Sequence, residues 1–170
     1  MMLFTPTSVA VLATLLPILA KGSPLAHIPR GDKYVSATWL PLAGNSSSLC
    51  DDSGWVRGLA GPEAPKAADC KAIGDWASKH TGHWLLRSQA TNDDVENEGD
   101  WMFLHSEGSC GLLARPRPKA CNSWVGAPDV VRIAAASFQD GSDQAMQGVF
   151  KTCSGSDCDA NVDWAFTTDF

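Results

Sequence analysis

The longest apolar run of the chain lies near its start and reads SVAVLATLLPILA from Ser8 to Ala20. It carries no charge, and Lys21 follows it directly. The run is too short to span a bilayer as a helix but suits the central segment of a secretory signal peptide. We therefore expect residues 1–20 to be a signal peptide, with a buried core helix as the alternative. Since no other apolar run is long enough to anchor the chain, we expect a secreted, extracellular product without a transmembrane segment.

Two later segments show helical periodicity. The first runs from Pro62 to His80, and the second runs from Ala127 to about Gln139. A proline stands in the first turn of each helix, where its missing N–H costs nothing. The apolar residues that recur on one face are Cys70, Ile73, Trp76 and Ala77 in the first helix, and Val130, Val131, Ala134, Ala135 and Phe138 in the second. We expect each helix to bury that single face.

Five segments read as strands, because they are short, apolar or alternating, and bounded by turn residues. They are residues 83–89, 101–105, 110–114, 145–153 and 162–166. Ser106-Glu107-Gly108 would connect two of them as a hairpin. Helices with one apolar face each must pack on a sheet. The expected fold is therefore α+β, a two-layer sandwich with an antiparallel sheet of about 4–5 strands and two helices packed on one face.

The segment between the apolar start and the folded domain shows no hydrophobic period. Residues 21–44 contain Pro24 and Pro29-Arg30-Gly31 and are interpreted as a tail or pro-segment. A short strand around Tyr34 to Leu40 is the alternative. Residues 45–170 form the predicted disulfide-stapled domain, which we expect to be monomeric.

All six cysteines follow the predicted signal peptide: Cys50, Cys70, Cys110, Cys121, Cys153 and Cys158. An even number of cysteines in an exported chain predicts three disulfides, and the sequence leaves their pairing open. The competing interpretation is a metal site. No C-x-x-C occurs, and the nearest pair, Cys153 and Cys158, is too isolated to suggest zinc. We therefore predict neither a metal nor a cofactor.

Charge excludes one class of partner. The net charge is -6 at pH 7, and the basic cluster Arg115-Pro116-Arg117-Pro118-Lys119 is too small to hold nucleic acid against it. The acidic run from Asp93 to Asp100 is interpreted as a solvated loop; a calcium site is the alternative, but the spacing does not place a glycine and a terminal glutamate as an EF-hand loop does. Asn45-Ser46-Ser47 is a glycosylation sequon in a polar loop, so we expect a glycan on Asn45.

Seven tryptophans raise the possibility of a sugar-binding module. Trp76, Trp84, Trp101 and Trp164 fall on apolar faces of predicted elements and are expected in the core, whereas Trp55 and Trp124 lie in loops and are the surface candidates. A pull-down on chitin and glucan would decide that interpretation.

Catalytic constellations are sparse. His80 and His83 straddle a turn, which is weak support for a metal site. His105 and Glu107 flank the hairpin connection and could act as an acid/base pair like that of a small ribonuclease. The chain contains no G-x-S-x-G, H-E-x-x-H or phosphate-binding glycine loop. We predict no catalytic residues and a non-enzymatic protein, with a small secreted hydrolase as an alternative.

An ordered set of residues between Leu49 and Phe166 resembles a known family. The pieces are Cys50, Ala64-Pro65, Asp69-Cys70, Ile73, Gly82-His83-Trp84-Leu85, Gly108-Ser109-Cys110-Gly111-Leu112, Val125-Gly126, Asp129-Val130-Val131, Gly148, Cys153 and Val162-Asp163-Trp164. Together they resemble the fungal effectors described as putative necrosis-inducing factors, which have a killer-toxin-like relationship. Cys121 and Cys158 depart from the pattern and, by subtraction, would form an additional bridge.

The resemblance implies a secreted fungal effector, a virulence protein that acts on a plant host outside the fungal cell. Its partner would be an unknown host or competitor target, a protein or a cell surface. An antimicrobial, killer-toxin-like protein against competing fungi is the alternative. The related killer-toxin fold, antiparallel strands with two helices, agrees with the predicted element order. We expect target contacts in the loops 115–124 and 91–100, since loops on a rigid scaffold commonly carry recognition.

Overall fold

The computed structural model describes residues 34–58, 60–87, 100–117, 121–155 and 160–170. The predicted signal peptide, most of the predicted tail, most of the acidic loop and Cys158 lie outside the described residues. Residues 34–44, at the end of the predicted tail, contribute two short strands.

Nine strands and two helices follow one another in the described part of the chain. They are β1 (Val35–Ser36), β2 (Thr38–Pro41), β3 (Ser53–Arg57), α1 (Ala67–Lys79), β4 (Gly82–Leu86), β5 (Met102–Glu107), β6 (Cys110–Arg117), β7 (Ser123–Gly126), α2 (Ala127–Ser137), β8 (Met146–Cys153) and β9 (Ala160–Thr167). Both predicted helices and the five predicted strands are present. β1, β2, β3 and β7 are additional, because strands of two to five residues are too short to show a clear alternation.

The predicted single antiparallel sheet of about 4–5 strands with both helices on one face is wrong. The strands form a six-stranded sheet in the order β1-β5-β6-β9-β8-β3 and a three-stranded sheet in the order β2-β4-β7. The larger sheet is mixed, because β1 runs parallel to β5. The physical reason is that β4 leaves the larger sheet and pairs with β2 and β7, two partners that the sequence pattern does not reveal. The protein is therefore mostly β.

The two helices pack tightly against each other. A Cβ atom added to Gly74 of α1 would lie 2.8 Å from the Cβ of Ala134 in α2, so only glycine permits this approach. α1 also contacts β5 and β6, whereas α2 contacts β3, β4 and β7. Neither helix of the described chain is long and apolar enough to cross a bilayer.

The apolar core lies between the helices and the sheets. Trp84 and Trp164 are almost completely buried, at 1% and 0% exposure, which confirms their predicted core positions. Trp76 is half-buried and packs against the core from α1. Trp101 is also half-buried. The indole N–H of Trp84 donates to the carbonyl of Leu104 at 3.0 Å, so its polar atom is paired.

Two disulfides join distant parts of the described chain. Cys50 pairs with Cys153 across 103 residues of sequence, and Cys70 pairs with Cys110 across 40 residues. Cys121 is disulfide-bonded as well. The partner predicted for it, Cys158, lies outside the described residues.

Candidate functional site

An open groove of about 580 Å³ lies beside the Cys50–Cys153 disulfide. Three separate segments form it: the chain before β3, the exposed side of α2 and the end of β8. The lining residues are Ser48, Leu49, Cys50, Asp51, Asp52, Arg132, Thr152 and Ser154. We call this feature the Cys50 groove. Its volume falls within the range of small-molecule sites, roughly 300–1,000 Å³.

A buried carboxylate fixes one wall of the Cys50 groove. Asp129 is fully buried in the first turn of α2. Its Oδ2 accepts the backbone N–H groups of Leu49 and Gly126, both at 2.9 Å, and its Oδ1 accepts the hydroxyl of Ser48. An acid at this position caps a helix N-terminus, where unpaired N–H groups and the helix dipole favour negative charge. The cap of α2 thereby also positions the wall residues Ser48 and Leu49.

Arg132 crosses the same wall. Its Nη2 atom donates to the carbonyl oxygen of Asp51 at 2.5 Å and lies 3.2 Å from Oδ1 of Asp129. The Nε and Nη1 donors make no hydrogen bond within the described residues, and 41% of the side chain is exposed. Arg132 is thus held at one end and presents free donors at the other.

The rim of the groove contains the one non-glycine residue with positive φ in the described chain. Thr152 has φ 49°, and the register between β8 and β9 shifts between Phe150 and Cys153. A β-branched residue is strained in this region, so the surrounding structure must stabilise the bulge. The N–H of Thr152 donates to the side-chain oxygen of Asn161 at 3.3 Å. The bulge brings exposed Thr152 into the lining of the groove.

A second cluster forms around Trp76. Its ring stacks between His80 and His105, with ring centroids 4.1 and 4.2 Å from the indole. Nε2 of His105 lies 3.0 Å from Oε1 of Glu107, so the structure does bring this predicted acid/base pair together. Both faces of Trp76 are covered by imidazole rings, which leaves no open face for stacking a ligand.

His83 lies on the three-stranded sheet, apart from the Trp76 cluster, and its ring is 5.6 Å from that of Trp124. Burial lowers the pKa of His83, because a charged imidazole would lose hydration there. Nδ1 of His83 and Nε1 of Trp124 are both buried and have no partner among the described residues. A ligand cannot reach these atoms from solvent, so the half-buried Trp124 is a poor surface site.

The two arginines of the predicted basic cluster share one buried carboxylate. Asp163 is 4% exposed and accepts the Nε atoms of Arg115 and Arg117 at 2.8 and 2.6 Å. The Arg115 guanidinium also lies 4.7 Å from the ring centroid of Trp101. The middle of this loop, residues 118–120, lies outside the described residues.

The remaining predicted surface residues are located as follows. Asn45 is exposed, and the neighbouring Ser46 hydroxyl accepts the N–H of Gly82 at 2.5 Å. Trp55 lies in β3, an edge strand, where it pairs with Gly148, and its side chain lies outside the description. Among the described residues, no group of three or more His, Cys, Asp or Glu could hold a metal ion.

Sequence reasoning missed Asp129, Arg132 and Thr152 as site residues. Asp129 carried a usable signal, since it stands three residues after the Gly126 N-cap and can reach back to it. Thr152 has no such signal in the sequence, because a β-bulge depends on how its strand pairs with a neighbouring strand. Cys50 was predicted only as half of an unassigned disulfide.

A family model, Hce2, described as pathogen effector and putative necrosis-inducing factor, matches residues 49–163. No curated protein matches the chain. The matched region includes both disulfides of the described residues and every lining residue of the Cys50 groove except Ser48.

Proposed function

Because the chain belongs to the Hce2 family of pathogen effectors, we propose that it is a secreted fungal effector that induces necrosis in a plant host. In this proposal it acts outside the fungal cell by binding a target rather than by catalysing a reaction. The observation that carries the proposal is the family match over residues 49–163, most of the chain.

The disulfides support an extracellular role. Disulfides persist in oxidising compartments and stabilise a fold chiefly by restricting the unfolded chain. Cys50–Cys153 ties the two ends of the matched region together, and Cys70–Cys110 ties α1 to β6 within it. Such a scaffold keeps its surface in shape where proteases are present. Exposed Asn45 is the residue that we propose to be glycosylated in the secretory pathway.

Leaf infiltration tests the proposal. The oxidised protein, purified as a monomer by size-exclusion chromatography, should cause local cell death in a responsive plant. The same protein, reduced and alkylated, should cause no cell death, because its disulfide bonds are broken. A response to both forms would point to a contaminant. No cell death and no captured apoplastic partner in several hosts would contradict the proposal.

One observation favours a second candidate function, a small secreted hydrolase. The 3.0 Å contact between His105 and Glu107 has the geometry of a general acid/base pair. Activity on RNA or cell-wall glycans that falls by about 100-fold in His105→Ala would support this candidate. Absence of activity in the wild type, or equal activity in His105→Ala, would eliminate it.

A further inference from the structure

We propose that the Cys50 groove binds a neutral oligosaccharide. Nothing in the family description assigns a ligand to this protein or a role to this groove. The inference goes beyond the proposed function, because oligosaccharide binding is measured on the isolated protein. Its result does not depend on whether the protein causes cell death in the leaf assay.

Charge narrows the ligand class. The groove presents the carboxylates of Asp51 and Asp52 beside the guanidinium of Arg132. An anionic ligand would meet two carboxylates, and a cationic ligand would meet the arginine. Leu49 and Cys50 are the apolar members of the lining, so an apolar ligand would find little surface to bury. A neutral ligand rich in polar groups satisfies all of these conditions.

Hydrogen-bonding capacity points to hydroxyl groups. Each sugar hydroxyl donates one hydrogen bond and accepts others, so it needs donors and acceptors side by side. Nε and Nη1 of Arg132 are donors without a partner in the described chain, and Thr152 and Ser154 add hydroxyls that can do both. Asp51 and Asp52 supply acceptors, although one oxygen of Asp52 already accepts the N–H of Ser53 at 2.8 Å.

The groove is also held in shape before any ligand arrives. Asp129 forms hydrogen bonds with Ser48, Leu49 and Arg132, which are three of the residues that line the groove. The disulfide ties Cys50, in the lining, to Cys153, which lies between Thr152 and Ser154. A pre-formed polar site loses less conformational entropy on binding than a mobile one. Thr152 also has a φ of 49°, which is costly for a β-branched residue, and such backbone strain clusters at functional sites.

Calorimetric titration with four soluble tetramers tests the ligand class. The neutral probes are chitotetraose and laminaritetraose, and the charged probes are an oligogalacturonide and a glucosamine tetramer. We expect at least one neutral probe to bind and both charged probes to bind at least tenfold more weakly. Preference for a charged probe, or no binding of either neutral probe, would overturn the proposal.

Two variants locate the site. Arg132→Ala should weaken binding by about tenfold, equivalent to about 1.4 kcal/mol, because it removes the free donors. Arg57→Ala is the matched control, since Arg57 is an exposed arginine that pairs with Asp140 outside the groove. Equal affinities of the two variants would place the ligand elsewhere.

Thr152→Gly separates binding from folding. Glycine adopts positive φ without strain, so the melting temperature should rise by roughly 2–4 °C. The same change removes a hydroxyl from the lining, so affinity for the neutral probe should fall by roughly three- to tenfold. If Thr152→Gly is more stable but binds with unchanged affinity, Thr152 is not part of the proposed site. If Arg132→Ala also binds with unchanged affinity, the proposal is refuted.

Discussion

Both disulfides belong to the buried apolar core, but only Cys50–Cys153 also borders an open polar groove, with Cys50 in the lining. An aspartate near each disulfide accepts backbone N–H donors: Asp129 accepts two near Cys50, and Asp69 accepts one near Cys70. Asp69, next to Cys70, accepts the N–H and hydroxyl of Ser109 at 2.8 and 2.7 Å, which doubles the connection between α1 and the start of β6.

The polar contacts around the Cys50–Cys153 disulfide have a different structural role. Around Cys50, the fully buried Asp129 ties the chain before β3 to α2, and the bulge at Thr152 places that residue in the lining of the groove. In the Cys70 region, polar contacts reinforce packing that the core already favours. In the Cys50 region, they maintain an exposed concave surface that hydrophobic burial alone would not produce. This difference is why we place the ligand site at Cys50.

Removal of each disulfide should have the largest effects. Loop entropy predicts a loss of about 4.7 kcal/mol for Cys50→Ala with Cys153→Ala, and about 4 kcal/mol for Cys70→Ala with Cys110→Ala. Guanidinium unfolding of the two double variants measures both. A larger loss for the Cys70 pair would show that packing around that disulfide outweighs loop length.

Asp129→Ala should cost about 3–4 kcal/mol, because it leaves the buried N–H groups of Leu49 and Gly126 without an acceptor. Hydrogen exchange should accelerate at residues 48–52 but not around Cys70. Asp140→Ala is the control, since the exposed Asp140 carboxylate pairs with Arg57, and it should change stability little. Equal acceleration in both regions would mean that the two disulfide regions unfold together.

Gly108→Ala should cost roughly 2 kcal/mol. Gly108 has φ 52°, and a Cβ there would lie 2.5 Å from the carboxylate of Asp69, so the β5–β6 turn would shift. Gly61→Ala is the matched control, because a Cβ at Gly61 meets no atom within 4 Å. Urea unfolding compares them, and similar losses would show that the turn does not depend on glycine.

The smallest effect concerns pH. The hydrogen bonds from the Ser109 hydroxyl and N–H lower the pKa of Asp69 below its ordinary value of 3.8. The stabilisation is therefore complete above the unfolded-state pKa and is lost as pH falls through the folded-state pKa. The stability difference between wild type and Asp69→Asn should shrink between about pH 5 and pH 2. A difference that stays constant with pH would show that these hydrogen bonds do not favour the ionised form.

Much of the local structure could be predicted from the sequence. Both helices were identifiable because their apolar residues repeat at helical spacing, and β9 because Val162, Trp164 and Phe166 alternate with their neighbours. The family resemblance was also readable, because it depends on the order of cysteines, glycines and tryptophans along the chain.

The division into two sheets and the Cys50 groove could not be predicted. β2 pairs with β4, more than forty residues later, and four residues carry too little pattern to name that partner. Leu49, Arg132 and Thr152 are far apart in the sequence and lie in one groove only in the folded chain. The Cys50–Cys153 disulfide at this place joins residues that are 103 positions apart. The sequence by itself therefore determined the helices, most strands and the family, since neighbouring residues encode them. Strand partners, disulfide pairing and the site depend on contacts between distant residues, which only the tertiary structure decides.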